Sequence, residues 1–269
     1  MTVNRERIDV LLHDRGLFES RERAKASIMA GKVRVNGETV DKPGVKIPVD
    51  SQIEVIGGLP YVSRGGLKLE KALKSFDIDL KGKTVLDVGA STGGFTDCAL
   101  QNGAVRVYAV DVGYGQLAWK LRSDPRVIAI ERTNIKRLSL ENLVDRPDFV
   151  VIDVSFISLE KVMPHISGLV SSSSRGVALI KPQFEAGREK VGKKGVVKDP
   201  DVHIEVINKV VKMIEDNGWS VISLDFSPIK GPEGNIEYLL YFDFSGPGIF
   251  DKAKIDKIVL KAHAEIKTN

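Results

Sequence analysis

Thr84-Val85-Leu86-Asp87-Val88-Gly89-Ala90-Ser91-Thr92-Gly93-Gly94-Phe95 decides the fold. An apolar run carries Asp87 near its end, passes through Gly89 and Gly93-Gly94, and enters a stretch that reads as a helix. Glycines let a backbone turn tightly and approach a ligand, and ligands of open α/β sheets sit beyond the carboxyl ends of the strands. The next apolar run, 106–111, ends in Asp111, whose carboxylate is placed to accept hydrogen bonds from ribose hydroxyls. Strand, glycine turn, helix, strand and acid together describe a βαβ adenosine site. The spacing does not fit two familiar nucleotide loops, because Gly89 to Gly94 is not G-x-G-x-x-G and no Gly-Lys-Ser/Thr of a P-loop follows. A looser glycine turn after an acid suits S-adenosylmethionine, which has no pyrophosphate to cradle. Methyl transfer is the chemistry that cofactor brings.

Outward from this loop, strand patterns at 84–88, 106–111, 127–131, 149–153, 176–180, 219–226 and 237–244 alternate with helix patterns at 66–76, 95–101, 117–121, 159–170 and 202–217. Such alternation predicts an α/β fold with a mostly parallel sheet covered by helices on both faces. Asp153 and Lys181 each stand where an apolar strand ends, the edge at which active sites of such sheets collect. The Lys/Gly-rich stretch 187–198 reads as a long, mobile loop.

Residues 1–56 have a different texture. Ile8, Leu11 and Leu12 fall at helical spacing from about Arg5, with Gly16 as a stop; Ser20 caps a second helix whose apolar face is Ala24, Ile28 and Met29 and which Gly31 ends. Two alternating runs then flank Asn36-Gly37, the signature of a type I′ hairpin. Pro43, Gly44 and Pro48 separate it from a strand-like stretch at 52–56. Gly57-Gly58-Leu59-Pro60 opens a linker at 57–62, which leaves 63–269 as the second domain.

The chain has 269 residues, 42% of them hydrophobic, with 40 Lys+Arg against 36 Asp+Glu and a formal charge of +4. This is the composition of a globular protein, and so small an excess of charge does not by itself establish a nucleic-acid partner. The single cysteine, Cys98, excludes an intrachain disulfide framework and reads as a small core residue. No charged-then-apolar leader and no run of about 18 apolar residues occurs, so a soluble, cytoplasmic protein with no membrane partner is expected. His13, His165, His203 and His263 are dispersed without ligand spacing, so no metal is expected. Trp119 and Trp219 read as packing residues.

Residues 61–244 resemble the FtsJ-type ribose 2′-O-methyltransferases. Residues 1–56 resemble an S4 RNA-binding domain through Gly16-Leu17, Ser20-Arg21, Ala24, Gly31-Lys32-Val33 and Val35-Asn36-Gly37. The two in this order resemble the TlyA family of ribosomal RNA methyltransferases, also known as haemolysins. The resemblance implies a Rossmann-like S-adenosylmethionine-dependent methyltransferase sheet preceded by a small α+β S4 domain. It also implies a catalytic tetrad: Lys68 in Ser63-Arg-Gly-Gly-Leu-Lys-Leu, Asp153 in Val-Ile-Asp-Val-Ser-Phe-Ile, Lys181 in Leu-Ile-Lys-Pro-Gln-Phe-Glu and Glu237 in Glu-Gly-Asn-Ile-Glu-Tyr-Leu.

In this reading Lys181 deprotonates or steers a ribose 2′-hydroxyl, Asp153 orients Lys181 or the methyl donor, and Glu237 holds Lys68 or the ribose. The cofactor set is Asp87, Gly89, Ser91, Gly93, Gly94, Phe95, Asp111, Asn134 and Asp153, with Glu131 and Asn134 towards the adenine. The implied partner is ribosomal RNA within ribosomal subunits, methylated on a cytidine ribose. Arg21, Arg23, Lys25, Lys32, Arg34 and Arg64 would meet RNA phosphates, extended by the basic loop from Arg188 to Lys194. Three other readings compete: a membrane-active haemolysin, which finds no apolar segment to insert; a non-catalytic rRNA-binding assembly factor, which a complete tetrad argues against; and a nicotinamide-dependent oxidoreductase, which the glycine spacing weakens. The residues carry no reading of oligomeric state.

Overall fold

The computed structural model describes residues 4–15, 17–18, 20–57 and 60–266. Gly16, read as a helix stop, and Gly58 and Leu59 of the linker lie outside the described residues. In the N-terminal part the elements are β1 (Arg5–Arg7), α1 (Ile8–Asp14), α2 (Arg21–Met29), β2 (Val33–Val35), β3 (Glu38–Thr39), β4 (Lys46–Pro48) and β5 (Ile53–Val55). The Ser20 hydroxyl accepts from the Arg23 N–H at 3.3 Å and starts α2. Asn36 and Gly37 take φ of 50° and 88°, the left-handed pair a type I′ turn requires, and join β2 to β3. Ile8, Leu12, Ala24, Ile28, Val33 and Ile47 form the core of this part.

Three expectations change here. Arg5–Arg7 is a strand paired antiparallel with Lys46–Pro48, so the first helix begins only at Ile8. Pro48 thereby ends a strand instead of separating two; with no N–H to donate, it suits this marginal position. Met29, on the last turn of α2, is 65% exposed, and only Ala24 and Ile28 of the expected face are buried.

The rest of the chain contains α3 (Gly65–Ser75), β6 (Thr84–Val88), α4 (Gly94–Gln101), β7 (Arg106–Val110), α5 (Trp119–Arg122), β8 (Val127–Ile130), β9 (Phe149–Ile152), α6 (Met163–Ser167), β10 (Arg175–Ile180), α7 (Pro182–Glu185), α8 (Pro200–Asp216), β11 (Ser220–Phe226), β12 (Tyr238–Asp243) and α9 (Ala253–Glu265). Seven strands form one sheet in the order β11-β12-β10-β9-β6-β7-β8, with β12 antiparallel to both neighbours and every other pairing parallel. Side chains alternate across it. Val85 joins a core with Leu69, Phe95 and Cys98, while Leu86 and Val88 face a second core with Ile166, Ile207 and Ile255. Burial on both faces is why these strands read as unbroken apolar runs.

The helix expected at 159–170 is instead a 3-10 turn, Leu159–Lys161, followed by α6; Pro164 fits only a first helical turn and so marks a new start. Trp119 is 64% exposed, against its reading as a packing residue, whereas Trp219 packs edge-on against Phe244. α9 was not among the expected helices; it buries Ile255, Val259 and Ala262. The 187–198 stretch is anchored: the Val197 N–H donates to Asn235 Oδ1 at 3.0 Å, Asn235 Nδ2 donates to the Gly195 carbonyl at 2.8 Å, and Lys190 pairs with Glu205.

Candidate active site

Strand order reverses about β6 and β9, and ligands of open α/β sheets bind in the crevice beyond the carboxyl ends at such a reversal. Gly89 makes this edge possible. It turns with φ +88°, and a Cβ there would stand 2.5 Å from the Asp153 backbone oxygen, so only glycine lets the two strand ends lie this close. The Asp153 N–H donates to the Val88 carbonyl at 3.0 Å. Gly93, at φ +94°, packs under Leu121, and Gly94 opens α4 against Ser63.

Between these glycines Ser91 is exposed at φ +49°. Asp111 closes the turn, its two carboxylate oxygens accepting from the Ser91 N–H at 2.8 Å and the Gly113 N–H at 2.7 Å. Asp87 is fully buried; Thr96 Oγ1 donates to its Oδ2 at 2.6 Å, and its Oδ1 has no hydrogen-bond partner among the described residues. Burial pushes the Asp87 carboxyl up to about 7 against the Thr96 hydrogen bond, with Asp153 and Asp111 adding repulsion. Mutually repelling acids below an exposed turn, one with an orphaned oxygen, suit a positively charged ligand. S-adenosylmethionine fits this donor set, having a sulfonium, an ammonium and a ribose diol.

Other expected cofactor residues are placed elsewhere. The Phe95 side chain is in the core, 3% exposed, so only its backbone stands near the turn. Asn134 is exposed and its Oδ1 accepts from the Lys136 N–H at 3.0 Å. Glu131 accepts from the Gly115 N–H at 2.8 Å and pairs with Arg122 at 2.6 Å, whose hydrogen bond holds its carboxyl below the usual range.

Lys68, Asp153, Lys181 and Glu237 come together as two ion pairs. Lys68, buried on α3, donates from Nζ to Glu237 Oε2 at 2.6 Å. Lys181, buried at the end of β10, has Nζ 2.6 Å from Asp153 Oδ1 and donates to Ser155 Oγ at 2.9 Å. The Asp153 contact is close but is not an aligned hydrogen bond. Burial raises the Glu237 carboxyl, opposed by the Lys68 charge, raised again by Asp153 and lowered by Lys181, so the two pairs share one electrostatic site. A buried lysine–carboxylate pair is a costly way to stabilise a fold.

Ser155, Phe156 and Phe184 escaped the sequence reading. Phe156 is 90% exposed at φ +63°, with its ring 5.0 Å from that of Phe184. The signal was present as Ser-Phe one residue beyond a strand-end acid, after Val154. Of the expected RNA contacts, Arg21, Arg23 and Lys25 share α2, Lys32 lies just before β2 and Arg34 on it, these last two exposed; Arg21 also donates to Asp9 at 3.2 Å. Arg64 is half-buried just before α3.

Comparison with known proteins gives an S4 domain at residues 6–53 and an FtsJ-like methyltransferase at residues 61–244. The 16S/23S rRNA (cytidine-2′-O)-methyltransferase TlyA of Mycobacterium tuberculosis is 45% identical over 89% of this chain and 90% of its own length. The chain belongs to the TlyA family. YqxC of Bacillus subtilis, described as a candidate rRNA methyltransferase, is 52% identical over 99% of this chain and 97% of its own. A solved structure from Streptococcus thermophilus, described as a candidate hemolysin, is 47% identical and covers 100% of this chain and 99% of its own, with a TM-score of 0.76. Haemolysin is thus a second label within the TlyA family. Among the described residues no helix is long and apolar enough to cross a membrane, and no group of three or more His, Cys, Asp or Glu is placed to hold a metal.

Proposed function

We propose that this protein transfers the methyl group of S-adenosylmethionine to the 2′-hydroxyl of a cytidine ribose in ribosomal RNA. The observation that carries the reading is the meeting of the Lys68–Glu237 and Lys181–Asp153 pairs beside the glycine turn. The TlyA relative of known activity lends the substrate class.

Asp87, Asp111, Ser91 and the backbone at Gly89, Gly93 and Gly94 would hold the cofactor. When bound, it supplies an electrophilic methyl group on a sulfonium. The chain's own residues do the rest. Lys181 is held by its hydrogen bond to Ser155 and its ion pair with Asp153, a placement from which it would steer the 2′-oxygen or take its proton. Lys68, held by Glu237, completes a site in which a weak nucleophile is aligned for in-line attack. Phe156 offers an exposed ring beside Asp153, a surface on which a nucleobase can stack. The arginines and lysines of α2 and β2, with Lys32 between them, would bind RNA phosphates through the S4 fold, and Arg64, just before α3, would extend that surface in the methyltransferase domain.

The test is transfer of labelled methyl from S-adenosylmethionine to separated, unmodified ribosomal subunits, with the product mapped to its ribose. Transfer by the wild type and loss in Lys181→Ala are expected, and the labelled subunit identifies the substrate. Tight cofactor binding with no transfer to either subunit sinks the assignment.

A further inference from the structure

The loop leaving β9 carries Asp153, Ser155 and Phe156 within four residues, and its middle is strained. Phe156 holds φ +63°, a region that bulky L-residues avoid, while its ring is 90% exposed and so gains little from its own burial. Such a conformation persists only where the surroundings over-determine it. What holds it comes from α7. Glu185 is buried, 6% exposed, and both of its carboxylate oxygens are spent on this one loop: Ser158 Oγ donates to Oε2 at 2.7 Å and the Leu159 N–H donates to Oε1 at 2.8 Å. Burial raises the Glu185 carboxyl, which these two hydrogen bonds oppose. α7 follows Lys181 directly, so the segment that carries one lysine of the tetrad also grips the loop that carries its acid partner. Lys181–Asp153 and Lys181–Ser155, Phe156–Phe184, and Glu185–Ser158/Leu159 thus join the same two segments along their length.

We propose that Glu185 is a positioning residue for methyl transfer: it clamps the 153–159 loop onto α7 so that Asp153 and Ser155 meet Lys181 and Phe156 stays in its strained, outward pose. Its catalytic consequence rests on the proposed function above; the clamp itself does not. Glu185 touches no reactant. Without it the loop relaxes towards ordinary φ at Phe156, and Lys181 loses its two fixed partners.

The experiment compares the full-length wild type with Glu185→Gln, Ser158→Ala and the double variant, by amide hydrogen exchange over 153–159 and by methyl transfer at saturating cofactor and RNA. Glu185→Gln keeps the size of the side chain, and Ser158→Ala leaves Glu185 in place, so a folding failure of one does not remove the test. Expected are faster exchange confined to 153–159, a kcat lower by about 100-fold in Glu185→Gln, a displacement effect of that order, and a smaller loss in Ser158→Ala. The dissociation constant for S-adenosylmethionine should be unchanged, and the double variant should be no worse than Glu185→Gln. Unchanged exchange, or equal losses in cofactor affinity and kcat together with a lowered Tm, would reduce Glu185 to a fold residue and overturn the proposal. If the wild type transfers no methyl to ribosomal RNA, the functional reading falls, and the exchange data alone decide the clamp.

Discussion

At the N-terminus Asp9 is buried between Arg7, at 2.9 Å, and Arg21, at 3.2 Å; at the sheet edge Glu237 is buried against Lys68, at 2.6 Å. The arginines keep 43% and 45% of their side chains in water, so their charge costs little to maintain, and the Arg7 hydrogen bond draws the Asp9 carboxyl down to about 2. Lys68 is only 8% exposed, and there burial outweighs the lysine and raises the Glu237 carboxyl. Proximity of opposite charges therefore does not define an ion pair's role. Where water still reaches the cation, the pair costs little to keep charged; where both partners are dehydrated, burial works against the charges and the pair is costly to maintain.

The most direct way to break this contrast is to truncate a cation in each region. Lys181→Ala should lower the methyl-transfer rate about 10²–10⁴-fold in single-turnover assays, whereas Arg7→Ala should leave it unchanged; equal losses would erase the distinction. Stability should separate the regions next. Lys68→Met leaves Glu237 buried and unpaired, at a cost of about 3–5 kcal/mol in denaturant unfolding. Adding Glu237→Leu should restore most of that stability while the double variant stays inactive, and a double variant as unstable as the single one would contradict the account.

Protonation sharpens the comparison further. Asp87, raised from 3.8 to about 7, contributes stability that is complete below 3.8 and is lost as pH rises through about 7. Its ionised form is the one that attracts a cation. S-adenosylmethionine should therefore bind tighter from pH 6 to pH 8, by up to roughly tenfold, and Asp87→Asn should flatten that slope in equilibrium dialysis. Asp9 has the opposite sign. Its carboxyl is lowered from 3.8 to about 2, so its contribution is complete above 3.8 and is lost as pH falls through about 2. That smallest effect, roughly 1 kcal/mol for a pair with half-exposed arginines, should vanish in Asp9→Asn during acid titration followed by circular dichroism.

What the amino-acid sequence determined by itself was local and periodic. The run 84–88 matches β6 to the residue, Asn36-Gly37 turns as its chemistry requires, and Ser20 caps α2. Asp153 and Lys181 were legible as site residues because a parallel sheet sends every strand end to one edge, so two distant acids or bases at strand ends become neighbours by topology alone. Lys68 and Glu237 carried no such mark; only the resemblance named them, since their hydrogen bond spans 169 positions and joins a helix to the residue just before an antiparallel strand. β1 pairing with β4, the burial of α9, the exposure of Trp119 and the grip of Glu185 on the 153–159 loop were likewise decided by tertiary structure. The physical reason is common to all of them. Periodicity and turn chemistry depend on neighbours in the chain, whereas the environment that dehydrates a charge or satisfies a buried carboxylate is assembled from segments that meet only in the folded protein.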